Sequence, residues 1–543
     1  MRGVLWIPFL LLVFQSAFAQ QVAENTYWYY FTDKNDNGHN TGQPETFLSQ
    51  RSIDRRGWQA LPVDEADLPV TPHYIDSLEA LGIKIVHTSK WLNGVLVTSN
   101  DTLLADTLYR LPFVDSLPWK PDPGNRYFPA MPRGTRFDPP LETPPDYSYG
   151  YGENQVKQLD LDYLHQKGYT GSGVIIAVLD GGFLELPALP VFQEPLAAGQ
   201  ILAQRNYVNR TEESYSRSGH GTSVSSVIIG NWPDSLVGTA PGTSLILAIT
   251  EDVLQETRIE EYAWIEAAEW ADSLGADIIN TSLGYTTFDD PSTNYSYRDM
   301  DGKTAAISVA NSMAADRGMV SVTSAGNSGN DNWYYIGAPA DATNILAVGA
   351  VDPEGSLASF SSRGPTYDRR IKPDVAAMGL MTAVQSTDGN IRLGAGTSYA
   401  SPLIAGATAL LWQAYPTLPS KTLMQWIIES GDRAQAPDID YGYGIPSFKA
   451  AFHAITSTGN YLASDELKIF PNPCTDILHM VVPQAGSSDY NVTVYDLQGR
   501  IMLNSNTTIP GSLELPSSIH PGIYILQLEN SGNHFKSLFI RKQ

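Results

Sequence analysis

Four polar residues lie at the ends of apolar runs, where a folded sheet would expose their side chains. Asp180 directly follows an apolar run, His220 has a glycine on each side, Asn327 follows a second run, and Ser398 precedes a third. A serine hydroxyl attacks an amide at neutral pH only if a base takes its proton, and an imidazole with a pKa of about 6.5 can do so. A carboxylate can orient that imidazole, and a side-chain amide can stabilise the resulting oxyanion. These residue types therefore suffice for nucleophilic acyl-transfer chemistry.

Each of these residues also has a plainer explanation when it is considered alone. An aspartate after a strand is often a helix N-cap, a glycine-flanked histidine is often a turn residue, and Asn-Ser-Gly is an ordinary turn sequence. Ser398 would simply belong to a well-capped, buried helix. The combination favours chemistry, because Asp, His and Ser follow in this order on loops of one predicted sheet.

The stretch Gly394–Pro402 runs directly into Leu403–Trp412, in which apolar residues recur at helical spacing. Thr397 is a candidate N-cap, which places Ser398 at the first position of a helix that is apolar enough to be buried. The Ser398 hydroxyl would then lie at the positive end of the helix dipole, beside backbone N–H groups without intrahelical acceptors. Pro402 should free a carbonyl group and bend the helix about one turn later.

The elements that must position these residues alternate between strands and helices. Continuous apolar runs, typical of parallel strands covered on both faces, occur at Val174–Leu179, Ser244–Ile249, Asp277–Asn280, Val320–Thr323 and Ile345–Val351. Helical patterns lie between them at Ser223–Ile229, Ile259–Leu274 and Thr304–Arg317. The alternation predicts a doubly wound, mostly parallel α/β domain over residues 151–455, with right-handed crossovers. In such sheets a ligand site lies beyond the carboxyl ends of the strands.

The composition describes a globular chain of several domains. Its 543 residues exceed what one hydrophobic core supports, and a content of 42% hydrophobic and 17% charged residues excludes a disordered chain. The net charge of −24 disfavours a nucleic-acid partner, because phosphate contacts need a basic face. The single cysteine, Cys474, excludes an intramolecular disulfide framework and a cysteine-rich zinc site. Beyond the N-terminus no segment approaches ~18 uninterrupted apolar residues, so no membrane-spanning segment is predicted.

The N-terminal part of the chain divides into three segments. Residues 1–19 combine a basic start, an apolar core and small residues at a cleavage position, which predicts a signal peptide. Residues 20–117 predict an α+β domain, with a helical pattern around Thr46–Arg56 and strand-like Ile83–Val86 and Gly94–Val97. Within it, Asp33–Gly38 copies half of a calcium loop, but Pro44 stands where the ligating glutamate belongs, so a turn is predicted. Residues 118–150 are rich in Pro, Gly and Tyr and predict an extended linker.

The C-terminal part of the chain begins with a second linker. Residues 456–464 are rich in small and polar residues. Residues 465–543 contain short alternating strands separated by Pro, Gly and Asn turns, which predict a small, all-β sandwich domain.

Several blocks around the candidate residues resemble the subtilisin-like serine proteases, the subtilases. They are Asp180–Gly182, Ser218–Thr222, Ile279–Gly284, Phe360–Pro365, Lys372–Val375 and Gly394–Pro402. The resemblance covers roughly residues 150–455 and implies a catalytic triad of Asp180, His220 and Ser398, with the Asn327 amide and the Ser398 N–H as oxyanion donors. It also implies that two segments pair with the substrate backbone and wall the pocket for the residue before the scissile bond. These are Ser282, Leu283 and Gly284, and Ser324, Ala325 and Gly326.

Three positions depart from the common pattern of that family. Gly181 stands where Thr or Ser is frequent, Ser223 replaces a common second histidine, and Tyr399 occupies the place of the usual methionine. None of these changes removes a group with a chemical role, so activity is expected. Pocket shape and substrate preference, however, do not transfer from the family.

The flanking regions resemble companions of such proteases. Residues 20–117, most clearly at Ser89–Val97, resemble a subtilase propeptide that assists folding and covers the cleft. Residues 465–543 resemble a type IX secretion sorting domain through Phe470–Pro473, Val494–Arg500 and Pro521–Tyr524. Such a domain takes a protein through the outer membrane of certain Gram-negative bacteria, so a secreted or cell-surface location is expected.

The leading hypothesis is a secreted serine endopeptidase made as a zymogen. Its expected partners are protein or peptide substrates, its own propeptide as an intramolecular inhibitor, and the type IX secretion machinery, with self-cleavage within residues 118–150. The chemistry needs no cofactor, and the resemblance and the acidity allow structural calcium, for which the sequence assigns no ligands. Two alternatives stay open: a catalytically silent surface adhesin on the same scaffold, and a processing protease specific for a few exported proteins.

Overall fold

The computed structural model describes residues 20–99, 107–132, 134–457, 467–470, 474, 477–481, 488–509, 511–516, 518–530 and 534–542. The predicted signal peptide 1–19 and most of the predicted 456–464 linker lie outside these residues. The chain divides into two compact units, Met1–Phe452 and His453–Gln543. Within the described ranges, no helix combines the length and the apolarity that crossing a membrane requires.

The N-terminal region is α+β, as the sequence predicts. Its elements are β1 (Gln20–Ala23), β2 (Thr26–Phe31), α1 (Gln50–Gln59), β3 (Val63–Asp64), α2 (Pro72–Ala80), β4 (Lys84–Ser89), β5 (Gly94–Thr98), β6 (Val114–Asp115) and β7 (Arg126–Tyr127). The antiparallel sheet has the order β1-β2-β5-β4, β6 pairs with β2, and β3 pairs with β7. Helix α1 begins later than its periodicity predicts, because the Ser49 side chain caps it by accepting a hydrogen bond from the Ser52 N–H.

The stretch Asp33–Gly38, which copies half of a calcium loop, is a turn-rich loop after β2. Lys34 in this loop is buried. Its ammonium donates hydrogen bonds to the backbone carbonyl oxygens of Glu65 at 2.9 Å, Leu68 at 2.6 Å and Lys90 at 2.6 Å. The Lys34 side chain therefore ties the loop to the rest of the domain.

The middle region is the predicted doubly wound α/β domain. Its strands are β8 (Ile175–Asp180), β9 (Ile201–Asn206), β10 (Asn231–Trp232), β11 (Leu236–Val237), β12 (Ser244–Ile249), β13 (Ile278–Thr281), β14 (Val320–Ser324), β15 (Leu346–Val351), β16 (Val375–Met378), β17 (Leu380–Gln385) and β18 (Ile391–Ala395). Its helices are α3 (Glu153–Lys157), α4 (Leu161–His165), α5 (Gln193–Ala197), α6 (His220–Ile229), α7 (Ile259–Leu274), α8 (Ala306–Asp316), α9 (Thr397–Ala414), α10 (Ser420–Glu429) and α11 (Phe448–Ser457). The central sheet has the order β16-β15-β14-β13-β8-β12-β9, and all of its pairings are parallel.

The five predicted strands and three predicted helices of this region are confirmed, with ends that differ by at most a few residues. Every residue of β8 is buried, which explains its unbroken apolar run. The edge strand β9 was not predicted from the sequence. Most of its residues are only half-buried, so that strand has no continuous apolar run.

Helix α9 begins at Thr397, so the prediction that Thr397 caps this helix is wrong. Gly396 takes the capping position instead, with a φ of +153° that favours glycine. Ser398 is therefore the second residue of the helix, one position later than predicted. Pro402 lies inside the helix, as expected.

A buried network of ion pairs joins the N-terminal region to helix α7. Arg55 and Arg56 of α1 both donate to the carboxylate of Asp272, and all three side chains are almost fully buried. Arg56 also lies 2.8 Å from Asp67, to which Arg317 donates from the end of α8, again at 2.8 Å. Burial alone would raise the pKa of Asp272, but the charges of Arg56 and Arg55 hold it below its usual value. The carboxylate is therefore ionised and paired at neutral pH.

The Pro-rich segment 118–150 contacts the N-terminal region first and the middle region later. The Asp122 N–H donates to the Glu65 carboxylate at 2.7 Å, and β7 pairs with β3. Further along, the Arg136 guanidinium donates to Asp277 at 3.1 Å and lies 4.2 Å from the centre of the Trp412 ring. The change of partner thus occurs before Arg136.

The second unit contains two antiparallel sheets. Its strands are β19 (Lys468–Phe470), β20 (Ile477–Val481), β21 (Ser488–Asp496), β22 (Ile501–Ile509), β23 (Gly511–Glu514), β24 (Gly522–Glu529) and β25 (His534–Arg541). They form the sheets β19-β20-β23 and β22-β21-β24-β25, which share one hydrophobic core, so the β-sandwich is confirmed. Cys474 is buried in this core, and the Pro471–Pro473 part of the predicted sorting motif lies outside the described residues.

Candidate active site

The candidate catalytic residues lie at the carboxyl edge of the central sheet. Asp180 is the last residue of β8, Ser282 directly follows β13, and Ser324 is the last residue of β14. These three strands are neighbours in the sheet. His220 and Ser398 lie in the N-terminal turns of α6 and α9, two helices that pack against each other. The topology therefore brings residues that are distant in sequence to one edge of the sheet.

Asp180 and His220 form a hydrogen-bonded pair. The carboxylate is fully buried, and its Oδ1 lies 2.8 Å from Nδ1 of His220. The backbone N–H of Gly181 donates to the same oxygen, also at 2.8 Å. Because Nδ1 is held by the carboxylate, Nε2 is the ring nitrogen that a neighbouring hydroxyl can use.

The surrounding charges make His220 a stronger base. Burial alone would lower its pKa, but the charge and hydrogen bond of Asp180, together with the charge of Glu251, raise the pKa of His220 to about 9. Burial and the charge of Asp180 in turn raise the pKa of Glu251 to about 8. Glu251 was not predicted from the sequence, although its place just beyond the apolar run of β12 is a signal that could have found it.

Ser398 and Ser282 hold each other by two reciprocal hydrogen bonds. The Ser398 hydroxyl donates to the carbonyl oxygen of Ser282 at 3.0 Å, and the Ser282 hydroxyl donates to the carbonyl oxygen of Ser398 at 2.9 Å. That second carbonyl is free because Pro402, four residues later in the helix, has no N–H. In this conformation the Ser398 hydroxyl therefore donates its hydrogen bond to Ser282 and not to the imidazole of His220.

Two residues that the sequence analysis did not single out fix the Ser282 side chain. The Nδ2 of Asn280 donates to the Ser282 hydroxyl at 3.0 Å. The hydroxyl of Ser401 donates to Oδ1 of Asn280 at 2.9 Å. An asparagine in a fully buried strand needs such partners, and its presence in β13 is the signal that could have identified it.

Asn327 is oriented by the start of α9. Its Oδ1 accepts hydrogen bonds from the backbone N–H of Thr397 at 2.9 Å and from the Thr397 hydroxyl at 3.0 Å. Because Oδ1 is occupied, the amide nitrogen Nδ2 is left to donate. A Cβ atom placed on Gly396 would lie 3.7 Å from that nitrogen and 3.7 Å from the backbone nitrogen of Ser398. The two predicted oxyanion donors therefore border one space, which Gly396 keeps free.

The predicted substrate-binding residues lie in two segments at the same sheet edge. They are Ser282, Leu283 and Gly284 after β13, and Ser324, Ala325 and Gly326 at the end of β14. Gly284 is exposed and Gly326 is half-buried, whereas Ala325 is fully buried in an apolar cluster. The two glycines thus have accessible backbone, whereas the Ala325 side chain belongs to the core.

Tyr399, the residue after Ser398, lies close to the histidine. Its ring centre is 6.0 Å from that of His220, with 37° between the ring planes. A Cβ atom on Gly394 would come within 2.5 Å of the same ring, so this glycine makes room for the tyrosine. The aromatic ring therefore forms part of the surroundings of the imidazole.

Three family models match separate parts of the chain. The subtilase family model matches residues 171–445, which is just over half of the chain. A peptidase S8 propeptide domain of Bacteroidota matches residues 26–130, and a secretion system C-terminal sorting domain matches residues 468–542. The three matches follow in the order of propeptide, catalytic domain and sorting domain that the sequence predicts.

Similar proteins include well-known subtilisins. Subtilisin E of Bacillus subtilis (strain 168) is 33% identical over 311 residues, which cover 56% of this chain and 71% of that protein. Subtilisin of Bacillus pumilus is 33% identical over 311 residues, which cover 56% of this chain and 98% of that protein. Among solved structures, MycP1 from the ESX-1 type VII secretion system has a TM-score of 0.45 at 22% identity, over 59% of this chain and 90% of that chain. This chain belongs to the subtilase family and carries a Bacteroidota S8 propeptide domain and a C-terminal secretion sorting domain.

Proposed function

We propose that this subtilase is a secreted serine endopeptidase, made as a zymogen, that hydrolyses peptide bonds with Asp180, His220 and Ser398. The observation that carries the proposal is the 2.8 Å hydrogen bond between Asp180 Oδ1 and His220 Nδ1. It lies at the same edge of the sheet as Ser398, whose hydroxyl is hydrogen-bonded to Ser282 after β13. The propeptide and sorting domains support a zymogen exported from a Gram-negative cell by type IX secretion. No triad position is substituted, so nothing favours the alternative of a silent adhesin.

In the proposed reaction, the Ser398 hydroxyl turns from the Ser282 carbonyl to Nε2 of His220. The imidazole takes the proton while Oγ attacks the scissile carbonyl carbon, and Asp180 stabilises the resulting imidazolium. The tetrahedral intermediate expels the amine, which receives the proton from His220. A water molecule then attacks the acyl-enzyme with His220 as base and regenerates Ser398.

The negative oxygen of each tetrahedral intermediate would accept hydrogen bonds from Nδ2 of Asn327 and from the Ser398 N–H. Both donors are placed before the reaction, because Thr397 fixes the Asn327 amide and the helix start fixes the backbone. Donors that need no reorganisation stabilise the transition state most effectively. The base, the nucleophile of the first step and both oxyanion donors are thus groups of this chain, and the second step uses a water molecule.

We further propose that the N-terminal domain restrains the enzyme until a cut within residues 118–150 releases it. The buried pairing of Arg55 and Arg56 with Asp272 supports a tightly docked propeptide. Structural calcium stays a prediction. In the described part of the chain, no three His, Cys, Asp or Glu side chains are grouped so that they could hold a metal ion.

The decisive variant is Ser398→Ala. We expect it to abolish peptide hydrolysis, to prevent labelling by an active-serine phosphonate, and to leave the chain unprocessed in a purified refolding reaction. Ser356→Ala, which alters an exposed loop serine, serves as the matched control and should behave like the natural enzyme. Hydrolysis by purified Ser398→Ala would refute the proposal, and release of the N-terminal domain from it would refute self-processing.

A further inference from the structure

Asp180 uses only one of its two carboxylate oxygens in hydrogen bonds with the described residues. Oδ1 accepts from His220 and from the Gly181 N–H. Oδ2 is buried, and the described part of the chain supplies no hydrogen bond to it. Buried polar atoms nearly always have a partner, so this oxygen indicates that a nearby group can become a donor.

The carboxyl group of Glu251 lies in the space beside this aspartate. Residue 181 is a glycine, and a Cβ atom placed there would come within 2.9 Å of Oε2 of Glu251 and 3.1 Å of Val253. The strand register explains this position, because Ile249 of β12 lies opposite Asp180 of β8 and Glu251 follows two residues later. The Glu251 carboxyl therefore occupies the space that a side chain at position 181 would need.

Glu251 can act as a donor because it holds its proton at neutral pH. Burial and the charge of Asp180 raise the pKa of Glu251 to about 8. The titratable groups that interact with it lie on several elements: Asp180 on β8, His220 on α6, Glu256 and Glu260 at α7, and Tyr285 after β13. Most of these groups are acidic, which opposes ionisation of Glu251. His220 favours its ionisation, but the combined effect of burial and the acidic groups is larger.

We propose that Glu251 is a positioning residue whose protonated carboxyl donates a hydrogen bond to Oδ2 of Asp180 and so fixes the Asp180–His220 pair. This inference rests on the proposed function, because it assigns a role within the triad. The bond exists only while Glu251 keeps its proton. Above its pKa the bond is lost, and a second negative charge stands beside Asp180. That charge is one of those that raise the pKa of His220, so it reduces the fraction of neutral imidazole.

The first test compares kcat and KM of three variants on a peptide that lacks Lys and Arg. On such a peptide, a direct contact of Glu251 with a basic substrate residue cannot account for the effect. We expect Glu251→Ala to lower kcat about tenfold with little change in KM, as for an interaction that matters mainly in the transition state. The double variant Gly181→Ser with Glu251→Ala should recover much of that loss, because the serine side chain enters the vacated space and brings its own hydroxyl donor. Gly181→Ser alone should not help, because its Cβ meets the Glu251 carboxyl.

The second test is the pH profile of Glu251→Gln. The glutamine amide donates at every pH and carries no charge, so the acid limb of kcat/KM should move to lower pH. Glu354→Gln, the same change at an exposed carboxyl in the loop after β15, should leave the profile unchanged. Three results would overturn the inference. The first is that kcat and the pH profile are unchanged in both Glu251 variants, and the second is that the double variant is no faster than Glu251→Ala. The third is that kcat falls only on peptides with basic residues. Ser398→Ala measured alongside separates these outcomes from failure of the proposed function, which would appear as residual activity in that variant.

Discussion

The two ends of the Asn327 side chain are in different situations. Thr397 occupies Oδ1 with two hydrogen bonds, whereas Nδ2 borders the free space beside Gly396. Asn327→Asp keeps an acceptor for Thr397 and removes the donor. We therefore expect kcat to fall about 100–1,000-fold, the range known for removing this kind of donor from a subtilisin, with little change in KM.

The control for this prediction is Asn330→Asp, which makes the same change in the same loop at another exposed position. It should retain the kcat of the natural enzyme. Equal losses in the two variants would show that the added charge, and not the missing donor, is responsible. Thermal unfolding of both variants would confirm that the loop keeps its structure.

The raised pKa of His220 predicts an alkaline enzyme. The imidazole must be neutral to take the proton of Ser398, and its pKa lies at about 9, so kcat/KM should rise from neutral pH towards that value. Asp180→Asn removes the charge that raises this pKa, so the acid limb should move to lower pH while the maximal rate falls steeply. Measuring kcat/KM across the neutral and alkaline range checks both effects. An acid limb that stays in place in Asp180→Asn would contradict the assignment of His220 as the base.

Residue types and local sequence were enough to predict Asp180, His220, Ser398 and Asn327 as a group. They could not show the atoms that orient these side chains. Thr397 reaches Asn327 across 70 positions of sequence, and its hydroxyl gives no local signal of that contact. Glu251 likewise acquires its neighbours only when β12 pairs with β8.

At the scale of elements, buried strands and helices were predictable because burial requires apolar side chains, in unbroken runs for the strands and at periodic spacing for the helices. The start of α9 was predicted one residue out of place, since a threonine before a helical run normally suggests a cap. The actual start depends on the positive φ of Gly396. Glycine can adopt this backbone conformation, but its presence in the sequence does not show that it does. The edge strand β9 was not predicted because an edge strand is partly exposed and does not need a continuous apolar run.

The pairing of α1 with α7 gives a prediction about the proenzyme. Asp272→Asn leaves two fully buried guanidinium groups without their shared carboxylate, so the free energy of unfolding should fall by about 3 kcal/mol or more. Denaturant unfolding of the unprocessed Ser398→Ala chain with and without this change would measure it.

The matched control is Asp316→Asn, which removes an ion pair with Lys421 in which both side chains are about 55% exposed. Exposed pairs contribute about 1 kcal/mol or less, so this variant should unfold almost like the parent. Equal effects of the two substitutions would mean that the buried network does not hold the propeptide in place.

At the scale of the whole molecule, the change of partners before Arg136 predicts where the mature enzyme begins. Arg51 of the N-terminal domain and Arg136 both pair with the buried carboxylate of Asp277. When the propeptide leaves, Arg51 leaves with it, and Arg136 must stay if Asp277 is to remain paired. Sequencing the N-terminus of the processed enzyme should therefore show a start upstream of Arg136.

Arg136→Ala should accordingly destabilise the mature enzyme more than the proenzyme, in which Arg51 still pairs with Asp277. Arg126→Ala, at an exposed position in the same segment, should affect neither form. A mature N-terminus downstream of Arg136, or equal shifts of the unfolding temperature in the two forms, would contradict this assignment.

The order of regions could be predicted from the sequence, because each region carries its own composition and motifs. Their attachment could not. The ion pairs between α1 and α7 involve arginines that look like ordinary surface residues of an amphipathic helix, yet Arg55 and Arg56 are almost fully buried. Only the docked structure shows that these charges face a partner.

The ion pairs under the propeptide have a consequence for the enzyme after activation. Asp272 loses Arg55, Arg56 and Lys90, and Asp277 loses Arg51, because all these cations depart with the N-terminal domain. Glu269 of the same helix loses the hydroxyl of Ser89 and the backbone donors of Lys90 and Trp91. Removal of the propeptide would thus expose an anionic face on α7, formed by Glu269 and Asp272 without these partners, whereas Asp277 would keep Arg136. The mature protease should bind an anion exchanger through this newly anionic face, which gives chromatographic retention as a direct record of propeptide departure.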